Sequence, residues 1–286
     1  MTLAGIELVY LVNDIGEKTS GYYASNIWGI NRNSLLFKLH HPTKPDILLM
    51  VSSIGMWITD KKIETIEPNK MLRRLRSDLL RAKLTKIEQI GTERIAYFTF
   101  TNFEKEFTLI VEFFGDGNII LCNEERKILA LLHSIDVRHR QLRVGLEYIP
   151  PPEDGVDVLN LTKESFRELF SSSGIGKTIG RGLGLPKKYV EEIIRLSGID
   201  PKKPSNEITD EEFEALYEII TSTLSKVTQG PHDPSVIIED EVHDAYPIRF
   251  SDDNLNAKKV DSFNEGLDIV FTEEILEKGK SLFSSP

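Results

Sequence analysis

The sequence has one cysteine, Cys122, in 286 residues. A single thiol excludes an intrachain disulfide and any zinc site built from several cysteines, and it fits a reducing compartment. Six histidines, at positions 40, 41, 133, 139, 232 and 243, show no metal-ligand spacing, so no bound metal and no cofactor are expected. No apolar run approaches the ~18–20 residues that span a bilayer. The opening "MTLAGIELVYLV" lacks a basic leader and carries Glu7 within its apolar stretch, so it reads as an amphipathic helix rather than a signal peptide. A soluble, cytoplasmic chain with no membrane contact is the expectation. Gly-x-Ser-x-Gly is absent, and no Cys-His pairing marks a nucleophile. The carboxylates are many but unlocalised, which gives no basis for an enzyme assignment.

At 40% hydrophobic residues the chain can bury a core, and its length suggests about two domains. The formal charge of −10 is unevenly spread. After Lys203 there are 19 acidic residues against 6 basic ones, whereas residues 61–100 hold 10 basic and 5 acidic. A local basic field attracts phosphate whatever the total charge, so nucleic acid remains a candidate partner.

Residues 2–14 read as a helix with Leu3, Ile6 and Tyr10 in one stripe. From Gly21 to Thr59 the runs "YYASNIWGI", "NSLLFKLH", "DILLMVSS" and "GMWITD", separated by Asn, Pro and Gly, predict an antiparallel meander. A helix follows "EPNK", with Met71, Leu72, Leu75 and Leu79 on one face. Lys70, Arg74 and Arg81 fall on another, with Arg73 and Arg76 beside it. "RIAYFTF", "EFTLIVEFF", "IILCN" and "KILALLH" predict a second series of hairpin-connected strands. "DVRHRQLRVGLEYIPPPEDG" reads as an Arg-rich loop containing Arg138, Arg140 and Arg143, and its prolines suggest a domain boundary. Residues 161–228 turn to helical periodicity. The tail offers two short strands, "SVIIED" and "AYPIRF", and a helix in "DSFNEGLDIVF". The expected fold class is α+β: an antiparallel β-rich domain over residues 1–155, a helical domain over 156–230, and an acidic return segment over 231–286.

Several guanidinium groups on one helix face either form a solvated surface or follow a phosphate backbone, which guanidinium binds in bidentate fashion. Composition leaves both readings open for Arg73, Arg74 and Arg81. "GIGKTIG" supplies the end of a P-loop, but Ser171 occupies the position of its first glycine and no strand precedes it. The longer stretch "GIGKTIGRGLGLPKKY" reads as helices joined by a Gly-rich hairpin. Either its backbone amides face a phosphate, with Lys177, Arg181, Lys187 and Lys188 nearby, or Gly174, Gly182 and Gly184 only cap and turn helices.

Taken in order, "IEL", "SSIGMWIT", the basic helix, "IGTERI", "VEFFGDGNIILCN", "YIPPP", "GIGKTIGRGLGL", "SGID" and "DSFNEGLDIVF" resemble the N-terminal half of the NFACT family, of the archaeal type. That family includes the fibronectin-binding-protein-A-like proteins and the nuclear export mediator factor of ribosome-associated quality control. The resemblance implies an NFACT-N domain related in fold to the N-terminal domain of formamidopyrimidine-DNA glycosylases, followed by a helix-hairpin-helix-like domain. It implies binding to the large ribosomal subunit carrying a stalled peptidyl-tRNA, recruitment of tRNA, and C-terminal tailing of the nascent chain. The family's tRNA-contacting Asp-Arg pair falls on Glu93-Arg94 and its first-helix acid on Glu7, so both acids are Glu here. A coiled coil, through which the family self-associates, is expected beyond "KGKSLFSSP". The fold kinship raises a DNA-glycosylase reading, but those enzymes use an N-terminal proline amine, and this chain has Thr2 and one Cys. A fibronectin-binding adhesin would call for a secretion signal, and none is read here.

Overall fold

The computed structural model describes residues 2–153, 155–240 and 242–283. The first helix, α1, spans Gly5–Lys18 and is offset from the expected 2–14. Residues 2–4 are drawn out as an arm instead, because the Leu3 amide donates to the Ile54 carbonyl at 2.9 Å and Ala4 caps the helix in an extended conformation.

The expected meander forms as β1 (Tyr23–Asn31), β2 (Ser34–His40), β3 (Ile47–Ser52) and β4 (Gly55–Thr59). After α2 (Lys70–Leu79) come β5 (Lys83–Glu88), β6 (Ile95–Asn102), β7 (Lys105–Glu112), β8 (Asn118–Cys122) and β9 (Ile128–Leu131). Asn69 begins α2 by accepting from the Leu72 amide, and Leu72, Leu75 and Leu79 turn inward as the spacing predicts. These strands form one nine-stranded antiparallel sheet in the order β4-β3-β2-β1-β5-β6-β7-β8-β9. Its two halves meet at the single pair Tyr23 and Lys83. Cys122 is fully buried in β8, and burial pushes its thiol up to about 12, which leaves it unreactive at neutral pH.

Two expectations for the connecting segments need correction. The Arg-rich stretch is not wholly a loop. It folds into a hairpin of β10 (Ile135–Val137) and β11 (Arg140–Leu142), because Ile135 and Leu142 pair directly and Leu142 buries itself under the ribbon. The second tail strand, β13 (Val242–Tyr246), lies earlier than "AYPIRF", since Pro247 cannot extend a ladder. It pairs with β12 (Ser235–Glu239), which also pairs with β14 (Ala257–Lys259).

The helical region comprises α3 (Lys163–Arg167), α4 (Ile175–Leu183), α5 (Lys187–Ser197) and α6 (Asp210–Gln229). It has its own core around Phe166, Ile179, Tyr189, Phe213 and Leu216. Helix α1 and its cap Ala4 join the two cores: Leu8, Leu11 and Ile15 pack with the sheet, while Ala4 and Ile6 belong to the helical core.

The acidic tail returns to the sheet. In α7 (Phe263–Phe283), Phe263, Leu267, Val270, Phe271 and Ile275 complete the sheet's own core. Trp57 donates its indole N–H to Thr272 at 2.9 Å. Asn264 covers the edge strand β4, accepting from the Ile58 amide at 2.7 Å and donating to the Ile58 carbonyl at 2.9 Å. An open edge invites foreign strands, and one amide side chain here satisfies both backbone groups. Asn264→Ala is expected to destabilise the fold by about 1–3 kcal/mol in urea unfolding. A loss within the scatter of a surface substitution would show that water replaces this cover freely.

Candidate nucleic-acid interface

The loop between β5 and β6 carries Glu93-Arg94, and its shape follows from a close approach. Gly5, at the start of α1, lies so near this loop that a Cβ there would stand 1.8 Å from the Thr92 carbonyl oxygen. Only glycine fits. Gln89 fastens the same junction, donating from Nε2 to the carbonyls of Gly5 (3.0 Å) and Glu93 (2.7 Å). The Phe113 amide donates to the Arg94 carbonyl at 2.8 Å. The backbone of this turn is thus held from α1, β5 and the end of β7.

The side chains are left freer. Arg94 is exposed, and its one side-chain hydrogen bond among the described residues is a long 3.5 Å contact from Nη1 to the Thr2 hydroxyl. Glu93 is half-buried and has no ion pair among the described residues. Burial, with a smaller contribution from Glu153, raises its pKa above the usual glutamate value. A carboxylate held partly out of water, in the field of another acid, favours its protonated form.

Glu7 is corrected. It is only 2% exposed, and its carboxylate points into the protein. Oε1 accepts from the Ala4 amide at 2.9 Å, while Oε2 accepts from the Tyr189 hydroxyl at 2.6 Å and faces Lys188 Nζ at 2.8 Å. Lys188 also meets Asp244 Oδ2 and the Ala245 carbonyl, each at 3.2 Å. Desolvation acts to lower the Lys188 pKa, but Glu7 and Asp244 together hold it above the usual lysine range. Burial, reinforced by Glu7, keeps Tyr189 protonated as a donor. Glu7 is therefore a bolt between α1, α5 and β13, with no acceptor site turned outward.

Two of the expected phosphate ligands are likewise corrected. Lys188 has an 18% exposed side chain and is occupied by the Glu7 and Asp244 carboxylates. Arg140 is buried: it ion-pairs with Glu112, donates from Nε to the Ile149 carbonyl at 2.8 Å, and lies near the Phe114 and Tyr148 rings. Arg73, Arg81, Arg138, Arg143, Lys177 and Arg181 are exposed. Arg74 and Lys187 are exposed but paired along their own helices, with Asp78 at 2.7 Å and Glu191 at 3.6 Å. Such surface pairs are worth ~0–1 kcal/mol and yield readily to a phosphate. The exposed cations lie on separate elements: α2 and its exit, the β10–β11 hairpin, and α4–α5. The α4–α5 turn is Gly184, with φ +64°, followed by Leu185 and Pro186. Among the described residues, no cluster of His, Cys, Asp and Glu is arranged for a metal, and no helix is long and apolar enough to cross a membrane.

The family model of the NFACT N-terminal and middle domains matches residues 5–281. The chain belongs to the NFACT family. Among curated NFACT relatives, the archaeal Rqc2 homolog aRqcH of Methanocaldococcus jannaschii is 30% identical over 264 residues, covering 86% of this chain and 39% of its own length. Ribosome quality control complex subunit 2 of Saccharomyces cerevisiae is 31% identical over 133 residues, 45% of this chain and 12% of its own. The chain thus spans well under half the length of these relatives. In fold it is similar to the fibrinogen-binding protein from Staphylococcus aureus, with a TM-score of 0.76 at 19% identity, covering 93% of this chain and 97% of that one. The N-terminal part of the fibronectin/fibrinogen-binding protein from Streptococcus suis gives 0.73 at 20% identity, covering 95% and 100%.

Within this NFACT fold, sequence reasoning missed Gln89, Tyr189 and Asp244. Tyr189 and Asp244 are distant from Glu7 along the chain, and no local spacing links them. Gly5, set just before an acidic helix turn, was the one local hint of a close approach. Glu7→Ala leaves the Tyr189 hydroxyl and the Ala4 amide without their acceptor and Lys188 with one carboxylate. Its expected cost is on the order of 3 kcal/mol in urea unfolding, with a smaller loss for Glu7→Gln. Glu93 gives the opposite expectation. Its raised folded pKa means that stability present below pH 4.5 is lost as pH rises through the folded value. Glu93→Gln should therefore melt higher than wild type at neutral pH, with the gap closing on acidification below 4.5. An unchanged melting temperature at both ends would show that Glu93 is not strained.

Proposed function

We propose that this chain is the RNA-binding part of a ribosome-associated quality-control factor. It recognises tRNA on stalled large ribosomal subunits carrying peptidyl-tRNA and supports C-terminal tailing of the nascent chain. The observation that supports the reading is the family match across residues 5–281 together with an exposed Arg94, without an ion pair among the described residues, on a backbone fixed from three elements. Arg94 binds the RNA backbone or a base edge, and Glu93 orients it or accepts from base donors. Glu7 acts indirectly, by fixing the helix against which the Glu93-Arg94 turn is pressed.

The division into a β-rich domain (1–155), a helix-hairpin-helix-like domain (156–230) and a return segment (231–286) is part of the same reading. The β-rich domain would share the fold of the glycosylase N-terminal domain without its chemistry. The α4–α5 hairpin, with Lys177, Arg181 and Lys187 outward, would follow the phosphate backbone, as would Arg73, Arg74, Arg81, Arg138 and Arg143 on their separate elements. The protein would act in the cytoplasm as a binding factor rather than an enzyme, self-associating through a coiled coil outside this segment.

Binding of wild type and Arg94→Ala to deacylated and aminoacylated tRNA across a salt series tests this. Wild type should bind with a negative log-log salt slope, and Arg94→Ala should lose roughly 10-fold in affinity. Equal affinities for the two proteins would remove Arg94 from the interface.

A further inference from the structure

The reading above leaves unexplained the opposite end of β6. Three residues other than glycine have positive φ among the described residues: Arg81 at +73°, Phe103 at +55° and Arg126 at +63°. Arg126 is accounted for locally. Its amide closes a turn on the Asn123 carbonyl, and its guanidinium lies 5.1 Å from the Tyr97 ring centre. Arg81 is tied down too, its amide donating to the Ala24 carbonyl at 2.8 Å, which leaves Phe103 as the one without a bond or ring contact of this kind among the described residues; Arg81 and Phe103 nonetheless occur together. Lys83 pairs with Thr101 across β5 and β6, so Arg81 and Phe103 each lie two residues outward at the same end of adjacent strands.

Phe103 is unfavourable twice over. It occupies a two-residue hairpin between the paired Asn102 and Lys105, where left-handed backbone favours Gly, Asn or Asp. Its ring is also 98% exposed. A bulky residue at positive φ with its ring in water is retained against both conformational and hydrophobic preference. Beside it, the side chains of Arg81 and Lys83 are exposed and have no hydrogen bond or ion pair among the described residues. Tyr23 pairs with Lys83 on the other side, its ring edge-on to His40 at 5.3 Å.

We infer that Phe103, with Arg81 and Lys83, forms a second RNA contact, in which the ring stacks on an unpaired base and the two cations hold the flanking phosphates. This rests on the RNA-binding reading and extends it to a surface away from Arg94. A protein partner would need apolar surface around the ring to bury it, but the neighbours of Phe103 in its hairpin are Asn102, Glu104, Lys105 and Glu106. A lone ring among polar groups suits one flat base, since base stacking requires a single π-face and is tolerant of sequence. Glu104 and Glu106 oppose binding by charge alone and leave the ring as the main attraction. Arg94 and Phe103 lie at opposite ends of β6, which at ~3.3 Å per residue separates them by roughly 30 Å. A folded RNA that engages both would be measured along the strand.

The test uses wild type, Phe103→Gly, Phe103→Tyr and Arg94→Ala with three probes: tRNA, oligoadenylate, and an abasic oligoribonucleotide of equal length. Phe103→Gly removes the ring and relieves the backbone, so it should unfold no earlier than wild type while binding oligoadenylate on the order of 10-fold more weakly. Its affinity for the abasic strand should not change, and Phe103→Tyr should bind as wild type does. If Phe103→Gly melts earlier than wild type, the ring serves the fold and the inference fails. If Phe103→Gly binds oligoadenylate as wild type does while Arg94→Ala loses tRNA, the second contact alone is overturned. If wild type binds none of the probes, the RNA reading falls with it.

Discussion

The arrangement of this molecule depends on one buried carboxylate. Glu7 joins α1, α5 and β13 through the Tyr189 hydroxyl and Lys188, with Asp244 as the second anion on the same lysine. Two carboxylates around one ammonium are stable in a desolvated setting only because Tyr189, the Ala4 amide and the Asp244 interaction with the Ala245 amide share the charge. With α1 so fixed, Gly5 is pressed against Thr92, and the Glu93-Arg94 turn inherits a defined position. A charge inside the protein thereby sets the position of a charge on its surface.

Much of the architecture was legible because periodicity reports burial directly. The four-strand meander, the apolar face of α2 and the helical switch after residue 161 follow from spacings of 2 and 3.6 residues. The offset of α1 was not legible, since it depends on the Leu3 amide bonding a carbonyl in the β3–β4 turn. The hairpin in the Arg-rich stretch was hidden for a related reason: its polar residues mask the two apolar positions, Ile135 and Leu142, that set its register.

The site was legible in part. Glu93-Arg94 was singled out through the family resemblance, and Arg94 is exposed there. Residue type alone could not separate Arg140 and Lys188 from the exposed cations, because an arginine or lysine is equally plausible as a phosphate ligand or as the partner of a buried acid. Only the positions of Glu112, Glu7 and Asp244 decide, and these are brought close by folding rather than by sequence. The resemblance to a family singled out Glu7 as a contact residue, whereas the fold buries its carboxylate against Ala4, Tyr189 and Lys188.

The return of α7 to the sheet has a consequence for synthesis. Trp57 and Thr272 are 215 residues apart, and Asn264 covers a strand 206 residues before it. Contacts of such separation form late, because the whole intervening chain must be available before they close. As the chain leaves the ribosome, the first sheet is made early but lacks Phe263, Leu267, Val270 and Phe271 until nearly all of these residues have emerged. During that interval its apolar face and the β4 edge are open, so the nascent protein passes through a stage in which its own exposed surface calls for protection.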